Sequence, residues 1–210
     1  MTMGEESPIN HLVYPVLLRP ILDKLERRDA TAAEALKTSL SKVEYSNPGF
    51  AYDFVMGLIR CADLSVNITE SLLKLQGGIP ETEDYKSTRP EDAFQELNKK
   101  AYSLKKILSR IPDEINDRKT FLETIKEIAS AIKKLLDTVY EVSTFIISPS
   151  GRQALEQRKK EFVKCSKRFS NTLKDFFKEG QAQTVFVSAL HLIHQTNVIM
   201  VTVKSKTEQC

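Results

Sequence analysis

The segment from Ile111 to Val139 constrains the fold more than any other part of this sequence. Apolar or small residues recur in it three and four positions apart, which is the spacing of one face of an α-helix. They form two neighbouring stripes, the first made of Ile115, Leu122, Ile125, Ala129, Ile132, Leu136 and Val139 and the second of Phe121, Ile128, Leu135 and Val142. Pro112 suits the first turn of a helix, and the acidic residues after it suit the positive end of the helix dipole. The pattern predicts one long helix over about 113–146 that packs against two neighbours.

Three more helical patterns lie around this segment, over about 91–109, 152–178 and 182–204. The last one contains Thr184–Val187 and other β-branched residues, which would also suit a strand. We predict a helix there, because a lone strand would have no sheet to join and a four-helix bundle needs a fourth element. The predicted fold class is therefore all-α, with a four-helix bundle over residues 93–210.

The N-terminal part contains shorter helical patterns that turn signals separate. Pro15 and Pro20 predict a kinked or broken helix over 9–28. The patterns after it predict a helix that a Thr31–Glu34 capping box opens and Asn47–Gly49 ends, a helix over about 50–61, and one over about 69–76 capped by Asn67 or Thr69. Helices this short cannot close a stable core of their own, so we expect them to pair with another copy of the chain.

Charge divides the chain into two halves of opposite sign. Residues 1–93 carry 10 Lys and Arg against 15 Asp and Glu, a net charge of −5, whereas residues 94–210 carry 21 against 13, a net charge of +8. Residues 81–90 are acidic and lack periodicity, which is typical of a domain boundary. We predict an N-terminal helical dimerisation domain over 1–80, a linker over 81–92 and the bundle after it. The basic charge of the bundle favours acidic partners.

Lysines recur at seven-residue spacing on two of the predicted bundle helices and therefore share one face of each. They are Lys119, Lys126 and Lys133 on one helix, with Ala129 and Ser130 between them, and Lys160, Lys167 and Lys174 on the other, with Val163 and Ser170 alongside. Packed side by side, the two helices would form a shallow groove with a small-residue floor and basic walls. Such a groove suits a short amphipathic helix with leucines on one face and acidic flanks. Lysines on helices are also commonly no more than solvated, and the residues alone leave that alternative open.

The sequence contains no arrangement typical of a catalytic or metal site. His191 and His194 stand three residues apart, but no Cys, Asp or Glu lies within a turn of them, so a packed histidine pair is the better interpretation. The lysines around Cys165 could lower its pKa, although a lone thiol without a neighbouring His is more often incidental. We predict neither an enzyme nor a bound cofactor or metal.

The cysteines and the first residues bear on location. Cys61, Cys165 and Cys210 are odd in number and far apart, which fits a reducing compartment better than a disulfide framework. The first residues lack the basic and then apolar pattern of a signal peptide, and no apolar run approaches the length that spans a bilayer. We expect a cytoplasmic protein.

Three segments carry a family resemblance: Ile111–Val139, Lys159–Lys164 and Leu192–Asn197. They resemble the programmed cell death protein 10 family, also called the cerebral cavernous malformations 3 protein family. The likeness is close over about residues 90–210, and Tyr14–Pro15, Asn47–Gly49 and Asn67–Leu73 follow in the family's order. The resemblance implies a non-catalytic adaptor or scaffold. Its expected fold is an N-terminal helical dimerisation domain followed by a four-helix bundle similar to the focal-adhesion-targeting domain.

The resemblance also implies where partners bind. The family's groove receives leucine–aspartate-type motifs of paxillin and of the malcavernin scaffold, and its residues match Lys126, Ala129, Ser130, Lys133, Lys167, Ser170 and Lys174 here. The family's dimer contacts fall at Leu36, Ser39, Leu58 and Ile59, where Ser39 replaces a small apolar residue of relatives. The loop over Tyr140–Arg152 differs from that of the family.

The family's partners are expected here as well. They are a second copy of the chain, sterile-twenty-like kinases of the germinal centre kinase III group, and striatin within the striatin-interacting phosphatase and kinase complex. The resemblance thereby implies roles in cytoskeleton, junction, apoptosis and angiogenesis control, with Golgi and plasma-membrane association beside the cytoplasm.

An alternative from the residues is a peripheral membrane protein. In it, phosphoinositide headgroups bind to Lys160, Lys164, Lys167, Lys174 and Lys178. Nucleic acid is not an expected partner, because aromatic residues do not alternate with the exposed lysines and no recognised motif is present.

Overall fold

A computed structural model describes residues 9–79 and 85–207, and every regular element in these two ranges is helical. The N-terminal elements are α1 (Asn10–Val13), a π-helical turn (Tyr14–Leu18), α2 (Arg19–Glu26), α3 (Ala30–Ser46), α4 (Phe50–Cys61) and α5 (Ile68–Gln76). The later elements are α6 (Asp92–Leu108), α7 (Ile111–Glu114), α8 (Arg118–Ser143), α9 (Pro149–Glu179) and α10 (Ala182–Thr207). The predicted all-α fold class is confirmed.

Helices α6, α8, α9 and α10 form a four-helix bundle around an apolar core. Phe94, Phe121, Phe162 and Phe169 are among its largest fully buried side chains. Burial of one large apolar side chain contributes about 1.5–3 kcal/mol, so these rings hold the helices together. The helix α9 packs along α10, and α6 packs along α8, whereas α8 and α9 meet less closely. The bundle therefore has a shallow seam between α8 and α9.

The helix α10 is the most buried helix of the bundle. Its side chains are buried on several sides, from Val185 to Val203, and this burial outweighs the modest helix propensity of its β-branched residues. By length and composition alone α10 could cross a membrane, and 61% of its most apolar stretch is buried inside the protein. The expectation that no apolar run reaches that length is therefore wrong. The position of α10 in the core accounts for its apolar composition.

The long helix predicted over 113–146 is interrupted near its start. The bundle helix α8 begins only at Arg118, because Asp117 has an extended backbone (φ −96°, ψ 101°) and caps it. The Asp117 carboxylate accepts hydrogen bonds from the backbone N–H groups of Lys119 at 3.0 Å and Thr120 at 3.3 Å. These N–H groups would otherwise be unsatisfied at a helix start. The apolar period continues through this break and did not reveal it.

Side-chain contacts hold the short helix α7 against α8. The Arg110 guanidinium donates to Glu114 at 2.8 Å and to Glu127 at 2.7 Å. Pro112 therefore opens α7, a separate turn, and not the bundle helix for which it was predicted.

The break predicted over 9–28 takes the form of a wider helical turn. The carbonyl of Tyr14 accepts a hydrogen bond from the N–H of Arg19, five residues further on. Pro15 and Pro20 have no N–H and would clash with the preceding turn of a regular helix, and a π-helical turn relieves this conflict. The chain stays helical from the start of α1 to the end of α2.

The helix caps predicted for α3 and α5 have different outcomes. Asp29, not Thr31, caps α3, since its carboxylate accepts from the N–H of Ala32 at 2.9 Å. The predicted capping box is therefore wrong by two residues. Asn67 caps α5 as predicted, accepting from a backbone N–H of its first turn at 3.2 Å. Gly180 follows α9 in the left-handed conformation (φ 75°), which favours glycine.

The N-terminal helices share the apolar core of the bundle, and two further contacts join them to α10. The Asn67 amide at the start of α5 donates to Gln183 at 2.9 Å. The His11 ring of α1 stacks on the ring of His194. The first and last helical parts of the chain are thus in direct contact.

The linker predicted over 81–92 lies partly outside the described residues, which resume at residue 85. The described part is attached to α6. The Ser87 N–H donates to the Asn98 side-chain oxygen at 3.0 Å, and the Asn98 amide donates back to the Ser87 carbonyl at 2.9 Å. The predicted domain bounds stay a prediction.

Candidate partner-binding surfaces

An exposed apolar surface covers much of the N-terminal helices. Its large side chains are exposed by 40% or more: Ile21, Leu36, Tyr45, Phe54, Leu58, Leu64 and Val66. Within one chain, α3 (Ala30–Ser46) buries only Ala33 and α4 (Phe50–Cys61) buries only Ala51. Exposed apolar area of this extent marks an interaction surface, because helices that bury so little have few contacts to stabilise them.

The predicted dimer residues all lie on α3 and α4. Leu36 is 46% exposed and Leu58 is 54% exposed, while Ile59 is half-buried and Ser39 is exposed. The corner between the helices is fixed by the carboxylate of Glu44, which accepts from two backbone N–H groups at 2.9 and 2.7 Å. Both leucines stand about three turns from this corner along their helices. The structure thus places them on one helical hairpin.

The predicted groove residues lie on α8 and α9. Every one of the seven is exposed: Lys126, Ala129, Ser130 and Lys133 on α8, and Lys167, Ser170 and Lys174 on α9. The first apolar stripe of the sequence lies beside them. Leu122 in this stripe is 41% exposed, and Ile125, Ile132 and Leu136 are half-buried. The second stripe faces the core and is buried.

Contacts at both ends of the seam fix the register of α8 and α9. At one end the Phe121 ring of α8 meets Phe176 and Phe177 of α9, with centroids 5.7 and 5.9 Å apart. At the other end Tyr140 of α8 and Lys159 of α9 line a common cavity of about 180 Å³. The helices are therefore antiparallel along the whole seam.

Helical spacing places Ala129 and Ser170 in this seam. Tyr140 follows Ala129 by about three turns, so both lie on the same face of α8. Lys159 precedes Ser170 by the same interval and shares a face of α9 with it. Since Tyr140 and Lys159 line one cavity, Ala129 and Ser170 point towards the same seam further along it. The Ser170 hydroxyl donates to the Ser166 carbonyl at 3.1 Å, so it is satisfied within its own helix.

Ser130 borders a different cleft. It lies between α6 and α8 in a cavity of about 420 Å³, together with Lys99, Lys100, Ser103 and Lys134. One residue of helix corresponds to a rotation of about 100°, which separates Ser130 from Ala129. The lysine spacing indicated a shared face but could not assign the residues between the lysines to one seam.

The four lysines of the proposed groove stand apart from acidic side chains. No carboxylate among the residues that the structure describes pairs with Lys126, Lys133, Lys167 or Lys174. Nearby cations differ, since Lys159 pairs with Glu156 at 2.7 Å. Unpaired lysines beside exposed leucine and isoleucine side chains form a surface that complements an acidic, leucine-bearing helix.

The sequence did not assign Leu122 and Tyr140 to a binding surface. Leu122 is 41% exposed and Tyr140 is 67% exposed at the seam. The first apolar stripe suggested a second packing neighbour, and it is the part of α8 that the bundle covers incompletely. The sequence did contain one signal for this surface: the apolar face of the predicted helix is wider than one neighbouring helix can bury.

Cys165 is a half-buried cysteine of the bundle. Burial raises the pKa of the Cys165 thiol to about 11, so the suggestion that nearby lysines lower it is wrong. The thiol packs against the apolar core, where the charged thiolate is disfavoured. Within residues 9–79 and 85–207 no three metal-binding side chains come together.

Fold and surfaces together define a class: an all-α protein with a four-helix bundle, an exposed apolar helical hairpin and a basic seam. Comparison with known families is more specific. Residues 6–65 match the model of the programmed cell death protein 10 dimerisation domain, and residues 66–156 match that of the programmed cell death protein 10 C-terminal domain. A programmed cell death protein 10 homolog of Caenorhabditis elegans is 41% identical over 212 residues, covering 97% of this chain and 98% of that protein. The chain belongs to the programmed cell death protein 10 family.

Membership carries functional meaning at a coarse level. The dimerisation domain over residues 6–65 contains α3 and α4 and supports self-association. The family supports an adaptor or scaffold role and a link to apoptosis.

Proposed function

We propose that this protein is a non-catalytic adaptor that pairs through α3 and α4 and binds acidic leucine–aspartate-type helical motifs in the seam between α8 and α9. The observation that carries the proposal is the set of unpaired lysines along an incompletely covered apolar stripe. The proposed groove comprises Lys126, Ala129 and Lys133 on α8, Lys167, Ser170 and Lys174 on α9, and Leu122 and Tyr140 at its ends.

Burial of peptide leucines supplies most of the binding energy in this mode of recognition. Exposed charge pairs contribute only about 0.2–1 kcal/mol each, so the lysines mainly set orientation, specificity and association rate. The small side chains of Ala129 and Ser170 matter because they let the peptide backbone approach the seam. A bulky or acidic group at either position would block that approach.

The proposed partners follow from family membership. They are germinal centre kinase III group kinases and a second copy of the chain for the hairpin, and malcavernin-type scaffolds and paxillin for the groove. Striatin, within its kinase and phosphatase complex, is a further proposed partner. With these partners the protein acts in the cytoplasm and at the Golgi and plasma membrane, in cytoskeleton, junction and angiogenesis control.

Isothermal titration calorimetry with a paxillin-type leucine–aspartate peptide tests the groove. Ala129→Asp should weaken binding by about 2 kcal/mol or more, because it places a carboxylate where peptide leucines must bury. Lys133→Ala should weaken it by about 0.2–1 kcal/mol and flatten its dependence on salt. Both positions are exposed, so circular dichroism should show intact helices in both variants.

Ser130→Asp is the matched control for the groove experiment. It introduces the same carboxylate on the same helix, one residue away, but towards the cleft between α6 and α8. It should weaken the peptide less than Ala129→Asp. Equal losses in the two variants would mean that general charge, and not the seam, governs binding. If the Ala129→Asp variant is folded and binds the peptide as tightly as the wild type, the peptide does not bind in the α8–α9 seam.

A second candidate function is binding to phosphoinositide membranes through α9. Lys159, Lys160, Lys164 and Lys167 line a shallow depression of about 380 Å³ on this helix. Each lysine near an anionic surface contributes about 1 kcal/mol. Vesicles with and without phosphoinositide, compared across a salt titration, would test it. Lys164→Glu should weaken binding to the vesicles but spare the peptide, because Lys164 lies outside both the proposed groove and the seven-residue lysine row of α9.

A further inference from the structure

Two of the three histidines of this chain meet at one joint, and the third lies beside it. His11 of α1 stacks on His194 of α10, with ring centroids 5.4 Å apart and ring planes at 21°. His191 lies one turn before His194 on the same helix. The helix α1 falls within residues 6–65, which match the family's dimerisation domain, whereas α10 belongs to the bundle. The stack therefore joins the dimerising part of the chain to the bundle.

The electrostatic surroundings of the stack disfavour a proton on His194. Its pKa is lowered to about 4, mainly by burial and further by the positive charge that His11, His191 and Arg158 can carry. The His191 pKa is lowered by burial and by Arg168 of α9. Burial and the neighbouring cations all lower the pKa of His194, so a proton on its ring is disfavoured in the stack.

Other helices packed against α10 also present polar groups to it or to its neighbours. From α6, Lys105 binds Asn197 at 3.0 Å. From α5, the neutral amide of Asn67 binds Gln183. On α9, Glu161 pairs with Arg158 at 2.9 Å and so offsets part of its charge. None of these carboxylate or amide groups contributes to the shift of the His194 pKa.

We propose that the His11–His194 stack is a pH-sensitive latch that holds α1 on α10 while His194 is neutral and releases it when His194 takes up a proton. A neutral His194 ring packs face to face on the His11 ring without burying a charge of its own, but protonation of His194 puts a charge into a partly buried contact beside other cations. The open state relieves this cost by returning the ring to water.

The direction of the pH effect follows from proton linkage. In the closed state the His194 pKa is about 4, and in an open, solvated state it is about 6.5. The open state binds the proton more tightly, so acid favours opening. The latch holds fully above pH about 6.5 and weakens as pH falls towards 4. Between pH 7.5 and 5.5 the ratio of open to closed molecules should rise about tenfold.

Hydrogen–deuterium exchange of the full-length protein measures this opening directly. After correction for the intrinsic pH dependence of exchange, opening of the segment 9–18 should increase about tenfold from pH 7.5 to 5.5. Imidazole signals in NMR spectra should show a depressed pKa for His194. Unchanged protection of this segment at pH 5.5 would overturn the latch.

Variants distinguish the proposed latch from a general loss of stability at acid pH. His194→Phe keeps an aromatic ring against His11 but cannot take up a proton, so the acid response of the segment 9–18 should disappear. His194→Gln serves the same purpose if the larger ring disturbs packing. His191→Gln is the matched control and should retain the response. An acid response that persists in both His194 variants would contradict the proposal.

Discussion

The Lys105 ammonium of α6 donates a hydrogen bond to the Asn197 side-chain oxygen of α10 at 3.0 Å inside the bundle. Both residues are more than nine-tenths buried. Lys105 also lies over the Tyr85 ring, 5.5 Å from its centroid. A buried ammonium depends on such partners, because removing one leaves its charge poorly solvated.

Asn197→Leu should lower the free energy of unfolding by about 2–3 kcal/mol, because Lys105 then loses an acceptor in the core. Adding Lys105→Met should cost less than the two single changes together, since the double variant no longer buries an ammonium beside an apolar side chain at position 197. Urea unfolding followed by circular dichroism measures all three, which suits a chain without tryptophan. Strictly additive losses would show that the two side chains are not coupled.

Cys165 should react slowly with alkylating agents. Burial raises its pKa to about 11, which reduces the reactive thiolate at pH 8 about a hundredfold relative to an ordinary thiol. Timed labelling with iodoacetamide and site-resolved mass spectrometry should show Cys61, which is exposed, modified well before Cys165. Labelling in denaturant is the control and should remove the difference. Equal native rates would contradict the burial of Cys165.

Most of the fold was predictable because its signals are local. Apolar periodicity identified the bundle helices, and Asn67 marked the start of α5. The break before α8 was not predictable, because Asp117 interrupts the backbone while the apolar period continues. The N-terminal prolines signalled irregularity, but the π-helical form depends on how the neighbouring turns pack.

The candidate groove was predictable only in part. Seven-residue spacing placed Lys126 and Lys133 on one face of a helix, which is a local property. Which neighbouring helix that face meets is decided by tertiary packing. Ala129 therefore lies in the α8–α9 seam, while Ser130, the next residue, lies in the cleft between α6 and α8.

The start of α9 should depend on a glycine at position 151 for its stability. A Cβ atom there would lie 2.6 Å from the Ser148 hydroxyl and 2.8 Å from a methyl group of the buried Ile146. The Ser148 hydroxyl caps α9 by accepting from the Gly151 N–H at 3.1 Å. Gly151→Ala should thus lower the free energy of unfolding by about 1–2 kcal/mol through the displaced cap. Gly78→Ala, where a Cβ meets only a carbonyl at 3.8 Å, should change it by less than about 0.5 kcal/mol in thermal unfolding. The reverse order would show that the cap can adjust.

The exposed leucines of the N-terminal hairpin allow a direct test of self-association. Leu36→Asp with Leu58→Asp should convert a dimer to monomers, because a buried unpaired carboxylate costs on the order of 3–5 kcal/mol. Both side chains are about half exposed within one chain, so the monomer should stay folded. Light scattering gives the mass, and circular dichroism checks the helices.

Ile147→Asp is the matched control, since this loop residue is 84% exposed and lies on the bundle, far from α3 in sequence. A double variant that keeps the wild-type dimer mass would move the interface away from these two leucines, and a control that also dissociates would point to surface charge as the cause.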